Sequence, residues 1–438
     1  MSDFDHFHPV EQLSPQDIRK LQDEKWEGQW AYVSAHSEFY RSKLGDKCNA
    51  KLSLDDLQDV ELTDKEELRQ SQETDYPFGS YATCSHDKII RLHRTSGTTG
   101  RSLILANSRK DAKIIAEQGA RGMYASGLRP SDRVIHCLNY QLWTGGVTDH
   151  MTLEETGATV IPYGVGGTRR LIETIRDLGV TAISCTPSYP SLLEKTIRED
   201  FGIKPRDLNL RLALFGGEAG LDNMEFRAAL ENTWGFGVRN ANFGLSEVMS
   251  TMGSQCEHTT DLHFLSSDVV FLELLDVSTG QRLPIEDGVS GELVCTHLEK
   301  ECQPLIRYRT RDVLTVTSAG MCECGRRSFR FRVTGRTDDM FNVRGINIFP
   351  TAIQKVIVGK TNISSGHFRI VLEGAGPYDR VKIKVEAAEN LAQTEWAGAA
   401  KQLETEIRDT IGATAEVTFL DFEALPRTDG KTAIIERV

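Results

Sequence analysis

Apolar positions near the start of the chain recur at helical spacing. Trp26, Trp30, Tyr32 and Val33 precede Phe39-Tyr40, which predicts helix over the first fifty residues. From about Ile89 to Leu214 short apolar runs alternate with amphipathic stretches. Ile89 to Leu92 reads as a strand followed by a glycine-rich loop, Lys110 to Tyr124 as a helix and Arg133 to Leu138 as a strand. In Arg169 to Leu178 the residues Leu171, Ile172, Ile175 and Leu178 fall on one helical stripe, and Val180 to Cys185 and Leu210 to Phe215 read as strands. Strands and helices alternating in this way imply βαβ units around a mostly parallel sheet.

The pattern then changes. Val269 to Leu275 and Gly291 to Thr296 are strand-like and joined by turn-rich sequence, which predicts an antiparallel β subdomain. Beyond Gly335, alternation in Val381-Lys382-Ile383-Lys384-Val385 marks a half-buried strand. An amphipathic helix with Leu391, Trp396, Leu403, Ile407 and Ile411 follows, and then strand-like Val417 to Leu420. These changes place a domain boundary near Thr334 to Arg336, with residues 1–334 as an N-terminal domain and 335–438 as a smaller one.

Length and composition agree with such a division. A chain of 438 residues exceeds one ordinary core. With 39% apolar and 26% charged residues it reads as globular. A formal net charge of -12 argues against general binding to nucleic acid or acidic membranes, both of which need clustered cations. No apolar run reaches bilayer-spanning length and Met1 to Pro9 is polar and acidic, so a cytoplasmic protein is expected. Most of the nine cysteines are scattered, as expected of buried thiols in a reducing compartment.

The strongest local motif is Thr95-Ser96-Gly97-Thr98-Thr99-Gly100-Arg101. Small residues let successive backbone N–H groups turn toward an anion, and the hydroxyls add donors. It lacks the Gly-Lys-Ser/Thr ending of a Walker loop. Downstream come Phe215-Gly216-Gly217-Glu218-Ala219, Asn242-Phe243-Gly244-Leu245-Ser246-Glu247, Tyr308-Arg309-Thr310-Arg311-Asp312, Gly335-Arg336-Thr337-Asp338-Asp339 and Leu425-Pro426-Arg427-Thr428-Asp429-Gly430-Lys431. Each alone could be a turn or surface charge. In this order they resemble the core motifs of the adenylate-forming superfamily of acyl-CoA ligases, adenylation domains and luciferases. Glu38-Phe39-Tyr40-Arg41, Trp143-Thr144-Gly145-Gly146, Gly157 to Pro162 and Arg344 to Pro350 narrow the resemblance to the phenylacetate–CoA ligase family, from about Ser14 to Lys431.

The resemblance implies an α/β adenylate-forming fold, with parallel sheets plus a β subdomain in the N-terminal domain and a mobile α+β C-terminal domain. It implies that ATP and Mg²⁺ activate an aryl or arylacetic acid as acyl-AMP, and that coenzyme A then takes the acyl group. By position, Ser96, Gly97, Thr98, Thr99 and Gly100 would hold the β- and γ-phosphates. Gly217, Glu218 and Ala219, with Asn242, Phe243, Gly244 and Ser246, would border the nucleotide. Glu247 is a hard oxygen ligand for Mg²⁺, Asp312 with Arg336 would take the ribose, and Lys431 would stabilise charge as carboxylate attacks the α-phosphate. An ion pair of Asp312 with Arg309 or Arg311 is the plain alternative. Asp338 matches the hinge, and Gly345 the thiol's access route.

Tyr140, Trp143, Thr144 and Phe215 are expected to wall the acid pocket, although aromatic residues at such positions also serve as core. Asn139, Tyr140 and Gln141 offer hydrogen bonds, which suits a hydroxy- or aminobenzoate. Tyr163 to Thr168 lacks the serine-led pattern of phenylacetate-specific members, leaving the acid open. Cys322-Glu323-Cys324-Gly325 places two thiols one residue apart, with Cys256 and His263 upstream and His258 and Cys302 in reserve. A similar segment in some relatives favours a structural zinc on Cys256, His263, Cys322 and Cys324. A carrier-protein pantetheine or an amine is the alternative acyl acceptor, and a non-catalytic nucleotide-binding scaffold the alternative class. The resemblance also implies a homodimer.

Overall fold

A computed structural model describes residues 6–95, 102–218, 220–344, 346–374, 376, 378–426 and 434–438. The chain divides into two compact units, Met1–Gly217 with Gly235–Arg332, and Glu218–Trp234 with Val333–Val438. Glu218–Trp234, which precedes the expected boundary near Thr334 to Arg336, groups with the second unit.

In the first unit, α1 (Pro15–His36) starts at Ser14, whose side chain caps the helix, and buries Gln22, Trp26, Gln29, Trp30 and Val33. Its Trp26 and Trp30 rings stack 5.5 Å apart and pack with Phe271, Leu298 and Ile306. After α2 (Glu38–Leu44), α3 (Lys65–Thr74) opens on a capping box between Asp64 and Glu67. Strands β1 (Ile89–Arg94) and β2 (Ile104–Ser108) form an antiparallel pair with Arg94 opposite Ile104. The glycine-rich loop therefore joins two strands, rather than leading from a strand into a helix. β2 escapes the sequence pattern because it is five residues long and four of them are buried, so it has no alternation.

α4 (Arg109–Ala125), β3 (Arg133–His136), α5 (Thr144–Glu155), β4 (Thr159–Pro162), α6 (Thr168–Asp177), β5 (Ala182–Cys185), α7 (Tyr189–Thr196), β6 (Leu212–Gly216) and β7 (Gly237–Leu245) follow. β3, β4, β5, β6 and the start of β7 pair in parallel. Antiparallel strands come next: β8 (Met249–Gln255), β9 (Leu262–Phe264), β10 (Val270–Leu275), β11 (Arg282–Leu283), β12 (Ser290–His297), β13 (Tyr308–Ser318) and β14 (Arg330–Arg336). Because β7 is parallel to β6 on one side and antiparallel to β8 on the other, the halves join in one 12-stranded sheet. The expected β subdomain is thus a continuation of the parallel sheet.

The second unit holds α8 (Met224–Trp234), a hairpin of β15 (Phe341–Val343) and β16 (Ile346–Ile348), and α9 (Pro350–Val358). β17 (Ser364–Leu372), β18 (Val381–Ala387), α10 (Trp396–Ile411), β19 (Ala415–Leu420) and β20 (Ile435–Arg437) complete it. Its sheet runs β19-β18-β17-β20, covered by α9 and α10. α10 buries Ala399, Leu403 and Ile407 against a core that includes Ile353, Ile370 and Ile383. Leu391 precedes the helix. Among the described residues no helix is long and apolar enough to cross a membrane.

Candidate active site

In open α/β sheets ligands bind beyond the carboxyl ends of the parallel strands. β6 ends at Gly216, and Gly217 follows at φ 82°, a conformation that favours glycine. A Cβ at Gly217 would lie 3.5 Å from the Trp143 ring. Trp143 stands at the N-terminus of α5. Arg94 N donates to Leu142 O at 2.9 Å, so the stem of the glycine-rich loop is tied to the segment carrying Trp143. Thr95 pins the other side of that stem, since its Oγ1 accepts from Leu103 N at 3.0 Å.

His136, at the end of β3, lies 3.1 Å from Ser184 Oγ through Nδ1 and 3.0 Å from Gly146 O through Nε2. Burial lowers its pKa to about 4, so it is neutral at pH 7. A carbonyl only accepts, hence Nε2 carries the proton and Nδ1 accepts from the Ser184 hydroxyl. Tyr140 is 3.0 Å from His150 Nδ1 through its hydroxyl, and burial raises the phenol to about 12. Tyr140 and Trp143 are half-buried and Thr144 is buried, all on this one segment. Phe215 is a correction. It is 0% exposed and its ring meets Phe236 edge-on at 6.1 Å, a core position rather than a pocket wall.

Glu247 lies in the turn between β7 and β8. Its side chain is 8% exposed and Oε1 accepts from Lys65 Nζ at 2.6 Å and from the Tyr308 hydroxyl at 3.1 Å. Burial pushes the carboxyl up, but the Lys65 charge and these hydrogen bonds outweigh it and hold the pKa below its ordinary value. Backbone bonds set this meeting. Thr63 N donates to Arg307 O at 2.9 Å and Arg309 N to Thr63 O at 2.8 Å, which brings the start of α3 beside Tyr308. Gly244 allows β7 to approach β8 beside this turn, because a Cβ there would stand 2.1 Å from Ser250 O. Gly244→Ala is therefore expected to cost about 1–3 kcal/mol by overpacking, read by urea unfolding. An unchanged midpoint would contradict the close approach.

Asp312 sits on β13 at an irregularity. Glu292 pairs with Val313 and Val294 with Arg309, so Thr310, Arg311 and Asp312 face Leu293 alone. The bulge is closed by Thr310 Oγ1, which donates to Leu293 O at 2.8 Å, and Arg311 adopts φ 69°. Arg309 turns to Glu292, donating at 2.8 and 2.6 Å, so its ion-pair partner is Glu292 rather than Asp312. Asn242 donates to Asp149 Oδ2 at 2.7 Å. Phe243 meets Phe331 edge-on at 5.2 Å, and Ser246 is half-buried in the Glu247 turn.

Cys256, His263, Cys322 and Cys324 converge with all four candidate ligand atoms within 4.8 Å of one another, every residue buried. Cys256 Sγ is 3.9 Å from Cys322 Sγ, and Cys324 Sγ is 3.6 Å from His263 Nε2. A tetrahedron with metal–sulfur bonds of about 2.3 Å and metal–nitrogen bonds of about 2.0 Å has edges of about 3.8 and 3.5 Å, so the spacing fits zinc. A hydrogen bond from Cys256 and the charge of His263 hold the Cys324 thiol far below its ordinary pKa, toward the thiolate a metal needs. His263 Nδ1 lies 3.3 Å from Ser328 Oγ, which orients the ring. Cys302 lies elsewhere, its N donating to Asp111 at 3.0 Å.

Ser96, Gly97, Thr98, Thr99, Gly100, Ala219, Gly345 and Lys431 fall outside the described residues. Glu218, Arg336 and Asp338 belong to the second unit. There Arg336 donates to both carboxylate oxygens of Asp338 at 3.0 and 2.9 Å, so the expected ribose ligand and the expected hinge are paired. Lys65, His136, Asp149 and Tyr308 were not singled out from the sequence. For Tyr308 the signal was present, since it opens the Asp312 motif.

The whole chain has the fold of an adenylate-forming CoA ligase. It superposes on a 2-hydroxyisobutyryl-CoA ligase in the postadenylation state in complex with 2-HIB-AMP, with TM-score 0.89 and 26% identity over 100% of this chain and 93% of that one. The family described as AMP-binding enzyme C-terminal domain matches residues 345–436. A phenylacetate-coenzyme A ligase of Thermus thermophilus is 33% identical, covering 96% of each chain, and one of Pseudomonas putida is 34% identical over 97% of this chain and 94% of that protein. The chain belongs to the phenylacetate–CoA ligase family. It is an AMP-forming acid–CoA ligase: ATP activates a carboxylic acid as acyl-AMP, and coenzyme A takes the acyl group as a thioester.

Proposed function

We propose that the acid is an aryl or arylacetic acid, bound against Trp143, Tyr140 and Thr144. The observation that carries this is the edge of the Trp143 ring, 3.5 Å from where a Cβ at Gly217 would stand, just past the end of β6. An aromatic face with few polar groups suits a ring. Pyrophosphate release across benzoates, arylacetates and short aliphatic acids tests it. Preference for an aliphatic acid would overturn it.

In this reading Ser96 to Gly100 hold the β- and γ-phosphates, and Gly217 to Ala219, Asn242, Phe243, Gly244 and Ser246 border the nucleotide. Asp312 and Arg336 take the ribose. Glu247 is the ligand for Mg²⁺, which neutralises phosphate charge when bound. Lys65, which donates to Glu247 Oε1 at 2.6 Å, balances the same carboxylate. Lys431 is carried by a C-terminal domain from residue 335 that swings about Asp338, with Gly345 lining the thiol's route. A carrier-protein pantetheine or an amine would appear as faster discharge of the adenylate than CoA gives. The reaction belongs in the cytoplasm, as a homodimer, which sedimentation would test.

We also assign a structural zinc to Cys256, His263, Cys322 and Cys324. Protein purified without chelator is expected to carry equimolar zinc by elemental analysis, and Cys324→Ser to lose it with a lower melting temperature. Zinc-free protein of unchanged stability would contradict the assignment.

A further inference from the structure

One buried side chain on α5 is not used by the chemistry above. Asp149 is 3% exposed, and its Oδ2 accepts from Asn242 Nδ2 at 2.7 Å. Its Oδ1 has no hydrogen-bond partner among the described residues. Burying a carboxyl oxygen without a partner is costly, so a purely structural position would favour an apolar residue. Burial raises the carboxyl to about 7, with the hydrogen bond from Asn242 pulling the other way.

The surroundings say what such a group could meet. Asn242 lies opposite Gly216 across β6 and β7, and a Cβ at Gly216 would stand 2.8 Å from Asn242 Cβ. The next residue, Gly217, is the one whose Cβ would stand 3.5 Å from the edge of the Trp143 ring. The Asp149–Asn242 pair therefore sits at the strand ends, one residue from the aromatic wall. The Asn242 amide fixes one carboxylate oxygen and leaves the other as an acceptor. A ligand matching it needs an N–H or O–H.

We propose that Asp149, held in place by Asn242, recognises a hydrogen-bond donor on the acid, an amino or hydroxyl substituent of its ring. The inference rests on the reading that Trp143 walls the acid pocket, and it narrows the acid to donor-bearing aromatic acids. A site built to hydrogen-bond a substrate group rejects the analogue lacking it, because its own polar atom is then left unpaired.

The test compares kcat/KM for amino- and hydroxybenzoates with that for benzoate and phenylacetate, in the wild type and in Asp149→Ala and Asp149→Asn. The wild type is expected to favour a donor-bearing acid by about 100-fold or more, and the alanine variant to lose at least about tenfold of that preference. A purely structural Asp149 would lower activity on all acids alike and leave the ratio unchanged, which overturns the inference. So does a wild type that uses benzoate or phenylacetate as well as the donor-bearing acids, and that measurement stands even if neither variant folds. Activation of aliphatic acids alone would instead overturn the aryl-acid reading beneath it.

Discussion

Lys431→Ala is expected to lower acid-dependent exchange of pyrophosphate into ATP by about 10²–10³-fold, the scale of losing one donor aimed at developing charge. Attack of a carboxylate on the α-phosphate joins two anions. A lysine between them stabilises charge that grows only toward the transition state, so its loss falls on kcat rather than on ATP affinity. The same variant should still pass a supplied acyl-adenylate to CoA, since that step forms no new bond to phosphate. Normal exchange in Lys431→Ala would remove the lysine from the first half-reaction. Loss of both half-reactions together would point to a general failure of the C-terminal domain.

Glu247→Gln should act through the metal. The change keeps size and one acceptor for Lys65 and Tyr308, which now bond the carboxylate at 2.6 and 3.1 Å, but removes the charge. The Mg²⁺ concentration for half-maximal adenylation is expected to rise on the order of 10–100-fold, with a fall in maximal rate. An unchanged Mg²⁺ requirement would contradict the assignment. The pH dependence has a definite sign. The folded pKa of Glu247 is depressed, so the stability it contributes is complete above the unfolded value of about 4.3 and is lost as pH falls through the lower folded one. Wild type and Glu247→Gln should therefore converge in stability in acid and differ most at neutral pH.

Much of this protein could be read from the sequence because its chemistry sits in short, ordered motifs. Glu247, Asp312 and the cluster of Cys256, His263, Cys322 and Cys324 were named through the resemblance that those motifs carry, and the last four do converge. Alternation in Val381 to Val385 and the helical face of Leu403 and Ile407 also match the second unit, because each element there has one buried side. What was missed has physical causes. Phe215 lies in a parallel strand buried on both faces, where pattern cannot tell core from pocket. Continuity of the sheet depends on β7 pairing in both senses, which no local signal carries. Lys65 at the start of a charged helix looks like a solvated charge until Thr63 brings it beside Tyr308. Asp149 reads as an ordinary helix acid until its burial and its bond to Asn242 are seen.

The central claim is tested most directly by the products. Purified enzyme with ATP, Mg²⁺, CoA and a donor-bearing aromatic acid should release AMP and pyrophosphate and form the aryl-CoA thioester in equal amounts, and without CoA it should hold acyl-AMP. Formation of ADP and phosphate in place of AMP, or thioester formation with no acyl-AMP when CoA is withheld, would contradict activation through an adenylate.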